Sequence, residues 1–170
     1  GIPQSMVLRE LVVNGIEACL RNPDEKSKWA VHITKDHEHD NKLSVINVGG
    51  DYLSDDIFIN NLNTLANSGN NVSEFDENKG IGAKISYLPK ARLGLVYRSK
   101  RAADEYGITA QMWQNSRTSQ YELREQDCLV KEEKTAFPLE ADFSPRLKGA
   151  TGTEVVCMGD TPKSNTWSSL

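Results

Sequence analysis

Apolar residues recur at helical spacing early in the chain and alternate with polar residues later. The segment from Gln4 to Leu20 predicts a helix that stops before Pro23, because proline disfavours helix in the residue preceding it. Two alternating runs follow, Lys28 to Thr34 and Leu43 to Val48, with a charged turn between them. These runs predict a β-hairpin.

The remaining elements complete an α+β pattern. Ser54, followed by two aspartates, predicts the N-cap of a second helix, and residues 67–78 are rich enough in turn formers to predict a mobile lid. Residues 125–148 read as an irregular excursion before the last strand. Predicted helices in the first half of the chain and strands in the second half indicate a two-layer α+β sandwich. The strands predicted in the second half are Arg92 to Arg98, Ile108 to Gln114, Gln120 to Arg124 and Thr153 to Met158.

Composition narrows the class of protein. The 170 residues are 38% hydrophobic and 26% charged, which is typical of one soluble globular domain. A net charge of -4 provides no general basic field, so nucleic acid is not indicated as a partner. No apolar run predicts a membrane span, and three widely spaced cysteines predict neither a disulfide framework nor a zinc site. We expect a cytoplasmic domain over residues 1–160, with 161–170 a polar, frayed tail or the start of a linker to a missing downstream domain.

The first helix carries a polar stripe. Glu10, Asn14 and Glu17 are four and then three residues apart, which places them on one helical face. This arrangement predicts a stripe that borders a cleft, with a proton acceptor one turn from an amide oxygen that can bind a cation. An ordinary solvated helix face is the alternative. The residues expected to keep most of the other surface apolar are Leu8, Leu11, Val12 and Ile16.

Two further motifs have candidate chemistry. The segment from Gly80 to Lys84 places two glycines before a short predicted helix, where free amides can approach an anion, although a tight turn gives the same pattern. The turn from His37 to Asp40 contains metal-ligand residue types. A solvated loop is the favoured interpretation there, because nothing later in the sequence supplies matching ligands.

Four segments, in this order, resemble the GHKL superfamily of ATP-binding domains. This superfamily includes gyrase-type topoisomerases, ninety-kilodalton heat-shock chaperones, histidine kinases and MutL mismatch-repair proteins. The resemblance spans about residues 6 to 158. In the sequence of its motifs it is most similar to the chaperone type and to the gyrase or MutL type. The segments that carry it are Leu8 to Asn14 with Glu17-Ala18, Ile59 to Gly69, Lys79 to Ala83, and Thr151 to Val155.

The resemblance implies a Bergerat fold, with a mixed, mostly antiparallel sheet covered on one face by helices. It also implies magnesium-dependent ATP binding and slow ATP hydrolysis, which drive lid closure and conformational change in a larger protein. Glu10 matches the general base that deprotonates the attacking water, and Asn14 matches the magnesium ligand. Glu17 matches an acidic position near the nucleotide, and Thr153 a threonine that helps to bind adenine through water.

The same resemblance implies further contacts and partners. Ser68 and Gly69 match the start of the ATP lid, and Lys84 is placed near the phosphates. The partners implied are ATP or ADP, a downstream domain of the same chain and a nucleotide-dependent homodimer. The residues that match the backbone cradle for the phosphates are Gly80, Ile81, Gly82 and Ala83.

The second box departs from the family pattern of Asp-x-Gly-x-Gly. Alignment of the following helix puts Val48 at the position of the adenine-binding aspartate and leaves only Gly50 of the two glycines. A one-residue shift brings Asn47 into the pocket, or Asp51 substitutes from the loop; Leu53 is a further candidate contact. Two alternatives therefore stay open: a non-catalytic nucleotide-sensing or interaction domain with a degenerate adenine pocket, and a histidine-kinase-like catalytic domain.

Overall fold

The computed structural model describes residues 4–53, 92–103, 107–115, 117–119, 121–125 and 142–168. The sequence-predicted helix, α1, runs from Gln4–Leu20, and a 3₁₀ turn covers Pro23–Lys28. None of the described helices is long and apolar enough to cross a membrane. The strands are β1 (Ala30–Lys35), β2 (Leu43–Val48), β3 (Leu95–Lys100), β4 (Ile108–Gln114), β5 (Tyr121–Glu125) and β6 (Gly152–Cys157).

The six strands form one sheet in the order β1-β2-β6-β3-β4-β5. The last strand in sequence therefore lies in the middle of the sheet, between the early hairpin and the later strands. The α+β class is confirmed. The sheet differs from the expected mixed one, because every pairing among the described strands is antiparallel.

Strand boundaries differ from the predictions where a turn intervenes. β1 begins at Ala30 because Pro23 starts the 3₁₀ turn that occupies the preceding residues. β3 begins at Leu95, since residues 92 and 93 form a turn that ends at Gly94 with a φ of 62°. Glycine reaches this left-handed conformation without the steric cost that a side chain would add.

Helix α1 packs on one face of the sheet through a stripe of small and apolar residues. Gly15 allows close approach: a Cβ at this position would lie 3.3 Å from Cγ1 of Val31 on β1. Burial of the surrounding side chains supplies the hydrophobic free energy that holds the helix to the sheet. The buried residues of this cluster are Val7, Leu11, Leu43, Val45, Leu95, Tyr97 and Cys157.

The opposite face of the sheet is also covered. Residues 142–148, expected to be part of an irregular excursion, include Leu147, which is completely buried. The Lys100 ammonium on β3 donates to the carbonyl oxygens of Leu147 at 3.1 Å and Ala150 at 3.2 Å. The sheet therefore has packed material on both faces, where the sequence predicted helices on one.

A buried lysine anchors the segment after β6. Lys42 is 1% exposed, and its ammonium donates to the carbonyl oxygens of Met158 at 2.6 Å, Thr161 at 2.9 Å and Ser164 at 2.8 Å. A single ammonium group thus donates to three backbone carbonyl oxygens in the segment that follows β6. Such charge-assisted hydrogen bonds are stronger than those between neutral groups.

Thr166 and Trp167 continue this attachment. The Thr166 hydroxyl donates to the Cys157 carbonyl at 2.7 Å and accepts from the Leu43 amide at 2.8 Å. The Trp167 amide donates to the Asn41 carbonyl at 3.1 Å, and its side chain packs against the α1 core cluster. Thr166 and Trp167 are therefore attached to the domain, within the segment expected to be a polar tail or the start of a linker.

Candidate functional site

The polar stripe of α1 lies on one flank of the helix. Glu10 and Glu17 are exposed and Asn14 is half-buried, beside the buried stripe that faces the sheet. The opposite flank is apolar and exposed, with Ile16 at 47% and Leu20 at 62%. Ile16, one of the residues expected to keep the rest of the helix surface apolar, is thus on an exposed part of that surface. The three polar residues keep their shared face, and Asn14 is the one closest to the buried stripe.

Asn47 is a buried amide under the same helix. It is 7% exposed, and its Oδ1 has no hydrogen-bond partner among the described residues. The side chain lies between α1 and the loop after β2: its Cβ is near Gly15, and a Cβ at residue 50 would overlap its Oδ1. An unpaired buried acceptor costs about 1–3 kcal/mol, so its retention calls for a ligand or a functional reason.

Asn47 belongs to a polar row that crosses three strands on the helix side of the sheet. It pairs in register with Thr153 on β6, which pairs with Ser99 on β3. The hydroxyl oxygens of Ser99 and Thr153 are 2.8 Å apart. Ser99 Oγ also accepts from the Leu53 amide at 2.9 Å. The row therefore combines an amide whose oxygen has no partner among the described residues with a linked pair of hydroxyl groups on the two neighbouring strands.

The structure separates the alternatives for the second box. Strand alternation puts Asn47 on the α1 face of β2 and Val48 on the other face. Asp51 is paired with Arg21 near the end of α1, with Oδ2 2.6 Å from Nε and Oδ1 3.3 Å from Nη2. Of these three residues, Asn47 is the one that lies on the α1 face of the sheet, whereas Asp51 is engaged in an ion pair with Arg21.

Gly50 and Leu53 complete the described loop after β2. Gly50 is buried, and a Cβ built on it would lie 3.2 Å from the Ala18 methyl group, as well as overlapping Asn47. Leu53 is half-buried and packs against the core cluster through its side chain. The loop therefore supplies packing and one amide donor to the polar row.

Several predicted site residues lie outside the described residues, so the structure does not bring them into or exclude them from this site. They belong to the expected lid and to the expected phosphate cradle. These residues are Ser68, Gly69, Gly80, Ile81, Gly82, Ala83 and Lys84.

The opposite face of the sheet has a second polar group, which sequence reasoning missed. Arg98 Nη1 lies 3.0 Å from Oδ1 of Asp36 and 3.1 Å from Oε2 of Glu154, and all three side chains are fully buried. The Ser144 amide donates to the other oxygen of Glu154. Burial raises the pKa of Glu154, opposed by the Ser144 hydrogen bond and the charge of Arg98. Each carboxylate in this group therefore has a partner.

The histidine turn joins this group. His37 Nδ1 lies 3.3 Å from Oδ1 of Asp36, and His39 Nδ1 lies 3.2 Å from Oδ2. Donor atoms of Asp36, His37 and Glu154 lie within 4.8 Å of one another, so Glu154 supplies the later partner that the sequence did not reveal. Arg98 already provides the cation between the two carboxylates. We interpret this cluster as an ion-pair network that joins the turn to the sheet.

Ser99 is the residue of the polar row that sequence analysis did not select. Its signal was weak: a small polar side chain at the third alternate position after Leu95 and Tyr97, which are both buried on the same face. Only the register of β3 with β6 shows that it meets Thr153.

A search against models of protein families found no match, and a search of curated proteins also found none.

Proposed function

We propose that this domain binds ATP with magnesium and hydrolyses it slowly, as the GHKL resemblance implies. The observation that carries the proposal is the unpaired Oδ1 of Asn47, buried beneath α1 on a residue that pairs in register with Thr153. The domain would act by changing conformation with its nucleotide state, in concert with a downstream domain or a second copy of the chain.

The base end of the proposed site is formed by the polar row. An amide oxygen can accept from the amino group of adenine, and the amide nitrogen can donate to a ring nitrogen. Thr153 provides a hydroxyl that either donates or accepts. Asn47 would therefore take the role that an aspartate has in the family pattern.

The phosphate end would lie along the polar flank of α1. Asn14 offers an amide oxygen, a ligand type that suits Mg²⁺, and Mg²⁺ commonly uses few protein ligands together with phosphate oxygens and water. The exposed Glu10 carboxylate, one turn earlier, can accept a proton from water. When bound, the metal would neutralise charge on the triphosphate; the residues of α1 would orient it and hold the proton.

Isothermal titration of the full chain with ATP and magnesium tests nucleotide binding. We expect saturable heat with wild type and a loss of affinity of about tenfold to a hundredfold for Asn47→Leu, because one buried acceptor is removed. The matched control is Ser44→Ala, which removes a fully buried hydroxyl from the same strand but from the opposite face. Absence of heat with wild type at millimolar ATP would refute the proposal.

A second experiment isolates hydrolysis. Glu10→Gln keeps the size of the side chain and removes the base, so we expect phosphate release to fall to the background rate while ATP affinity stays within about threefold. The control is Asp24→Asn, which removes an exposed carboxylate in the 3₁₀ turn, outside the proposed site, and should leave phosphate release unchanged. Unchanged turnover in Glu10→Gln would refute the role of Glu10 as the base.

A non-catalytic nucleotide-binding module is the second candidate, favoured by the exposure of Glu10. A half-buried carboxylate has a desolvation cost that argues for a function, whereas an exposed one has little such cost and gives no comparable argument. In that case ATP would bind through Asn47 and Thr153 without release of phosphate above background. Phosphotransfer from labelled ATP to a protein substrate would instead support the histidine-kinase-like alternative.

A further inference from the structure

The base end of the proposed site has an amide where the family pattern has a carboxylate. A carboxylate in its ionised form only accepts hydrogen bonds, whereas an asparagine amide both accepts and donates. Asn47 is more than nine-tenths buried and its oxygen has no partner among the described residues. The amide oxygen is therefore not held by a donor among the described residues, and the orientation of the amide is not fixed through that atom.

The neighbouring hydroxyl groups have the same freedom. Ser99 Oγ accepts from the Leu53 amide, so the Ser99 proton can go to Thr153 Oγ1 at 2.8 Å or to the Gly152 carbonyl at 3.3 Å. If it goes to Thr153, the Thr153 proton is free to donate to a ligand. If it goes to Gly152, Thr153 donates to Ser99 and offers a lone pair to a ligand instead.

We infer that the base end of this site accepts 6-oxo purine nucleotides as well as 6-amino ones, and this inference rests on the proposed nucleotide-binding function. A 6-amino group needs an acceptor and a 6-oxo group needs a donor. The amide of Asn47 supplies either by rotation about its last side-chain bond, and the Ser99–Thr153 pair supplies either by reversing its hydrogen bonds. The substrate class is thus purine nucleoside triphosphates.

The space beside Asn47 is consistent with this freedom. Gly50 has no side chain, and a Cβ there would overlap the Asn47 oxygen. The absence of that atom gives the amide room on its loop side, where Ala18 is the adjacent side chain. By contrast, Asp51 is tied to Arg21, so its carboxylate is held away from this amide.

The experiment compares ATP with inosine triphosphate, which differs in the group at position 6 of the base. Calorimetric titration of the wild-type chain with each nucleotide and magnesium should give affinities within about threefold of each other. Asn47→Asp, measured at about pH 8 so that the new carboxyl group is ionised, should then favour ATP by about tenfold or more. Ser44→Ala is the matched control and should keep the wild-type ratio.

The outcomes separate this inference from the function on which it rests. If wild type binds neither nucleotide, the proposed function fails and this inference with it. If wild type binds ATP more than about thirtyfold tighter than inosine triphosphate, nucleotide binding stands and the broad base preference is overturned. Because the wild-type ratio is decisive by itself, a poorly folded Asn47→Asp variant would not rescue a failed inference.

Discussion

On the helix side of the sheet, Asn47 is buried with an unpaired oxygen, whereas on the opposite side Arg98, Asp36 and Glu154 are buried as a mutually bonded group. Both regions are buried, and both include residues of the paired strands β3 and β6. Each of the two carboxylates has Arg98 as its partner, whereas the Asn47 oxygen has none among the described residues. We interpret the charged network as structural and propose a binding role for the uncharged row, and this division can be tested by substitution.

The largest effect should come from Arg98→Met. This change leaves two carboxylates buried without their cation, and breaking a buried ion pair in this way costs about 3–5 kcal/mol. The free energy of unfolding, measured by urea denaturation, should fall by that amount. The triple variant Arg98→Met, Asp36→Asn, Glu154→Gln should recover much of the loss. A loss below about 1 kcal/mol for the single variant would show that the network is not structural.

The next largest effect should come from Lys42→Met, which leaves three carbonyl oxygens without their donor. Hydrogen bonds to a charged group contribute about 1.5–3 kcal/mol each in favourable cases, and water can replace part of them at the edge of the segment. We expect a net loss of about 2–3 kcal/mol in urea denaturation. Lys163→Met, at an exposed lysine in the same segment, is the control and should change stability by less than about 0.5 kcal/mol.

The same lysine predicts a dependence of stability on pH. Burial lowers the pKa of Lys42 to about 8 from its usual 10.5. Between these values the unfolded chain holds the proton and the folded chain has released it, so raising the pH through this window favours folding. The difference in unfolding free energy between wild type and Lys42→Met should therefore shift towards wild type as pH rises from 8 to 10.5. A shift in the other direction would contradict the lowered pKa.

Asn47→Leu should have a small effect on the free energy of unfolding, opposite in sign to the losses expected for Arg98→Met and Lys42→Met. Replacement of an unpaired buried amide by an apolar side chain of similar size removes a desolvation cost, so we expect no change or a gain of about 1 kcal/mol. Urea denaturation of the nucleotide-free protein measures it. A loss greater than about 1 kcal/mol would show that Asn47 is part of the supporting structure, and the contrast between the two faces would disappear.

The smallest effect should be the contribution of Glu154 to the change of the free energy of unfolding with pH in the acid range. Because burial raises its pKa, the folded protein holds this proton at pH values where the unfolded chain has lost it. The stabilising contribution is therefore present at low pH and is lost as the pH rises through the raised pKa. Relative to Glu154→Gln, wild type should gain stability as the pH is lowered. A flat difference across the acid range would argue against the shift.

The regular elements were largely predictable from the sequence, because periodicity reports which side of an element is buried. Helix α1, β2 and β4 begin and end at the predicted residues. Pairing between strands was harder: the position of β6 in the sheet depends on its pairing with β3, 52 to 62 positions away, and with β2, 104 to 114 positions away. Alternation predicted a strand from Thr153 to Met158, one residue later than Gly152–Cys157, but contained no information about its neighbours.

The candidate site was predictable only in part, for a related reason. The spacing of Glu10, Asn14 and Glu17 fixed their shared helical face but not their exposure, which depends on how the helix sits on the sheet. Whether Asn47 or Val48 lies on the α1 face depends on the register of β2, since a shift by one residue moves every side chain of the strand to the other face. The role of Lys42 depends on where the chain goes after β6, which no local pattern indicates.

The packing of Thr166 and Trp167 has a consequence for how this domain can be shortened. A chain cut after Cys157 would lose the hydroxyl that bridges the Leu43 amide and the Cys157 carbonyl, the acceptors at residues 161 and 164 that serve the Lys42 ammonium, and an indole from the core. Water would then reach the backbone at the pair of Leu43 on β2 and Cys157 on β6. Thr166 and Trp167 therefore belong inside any minimal folding fragment.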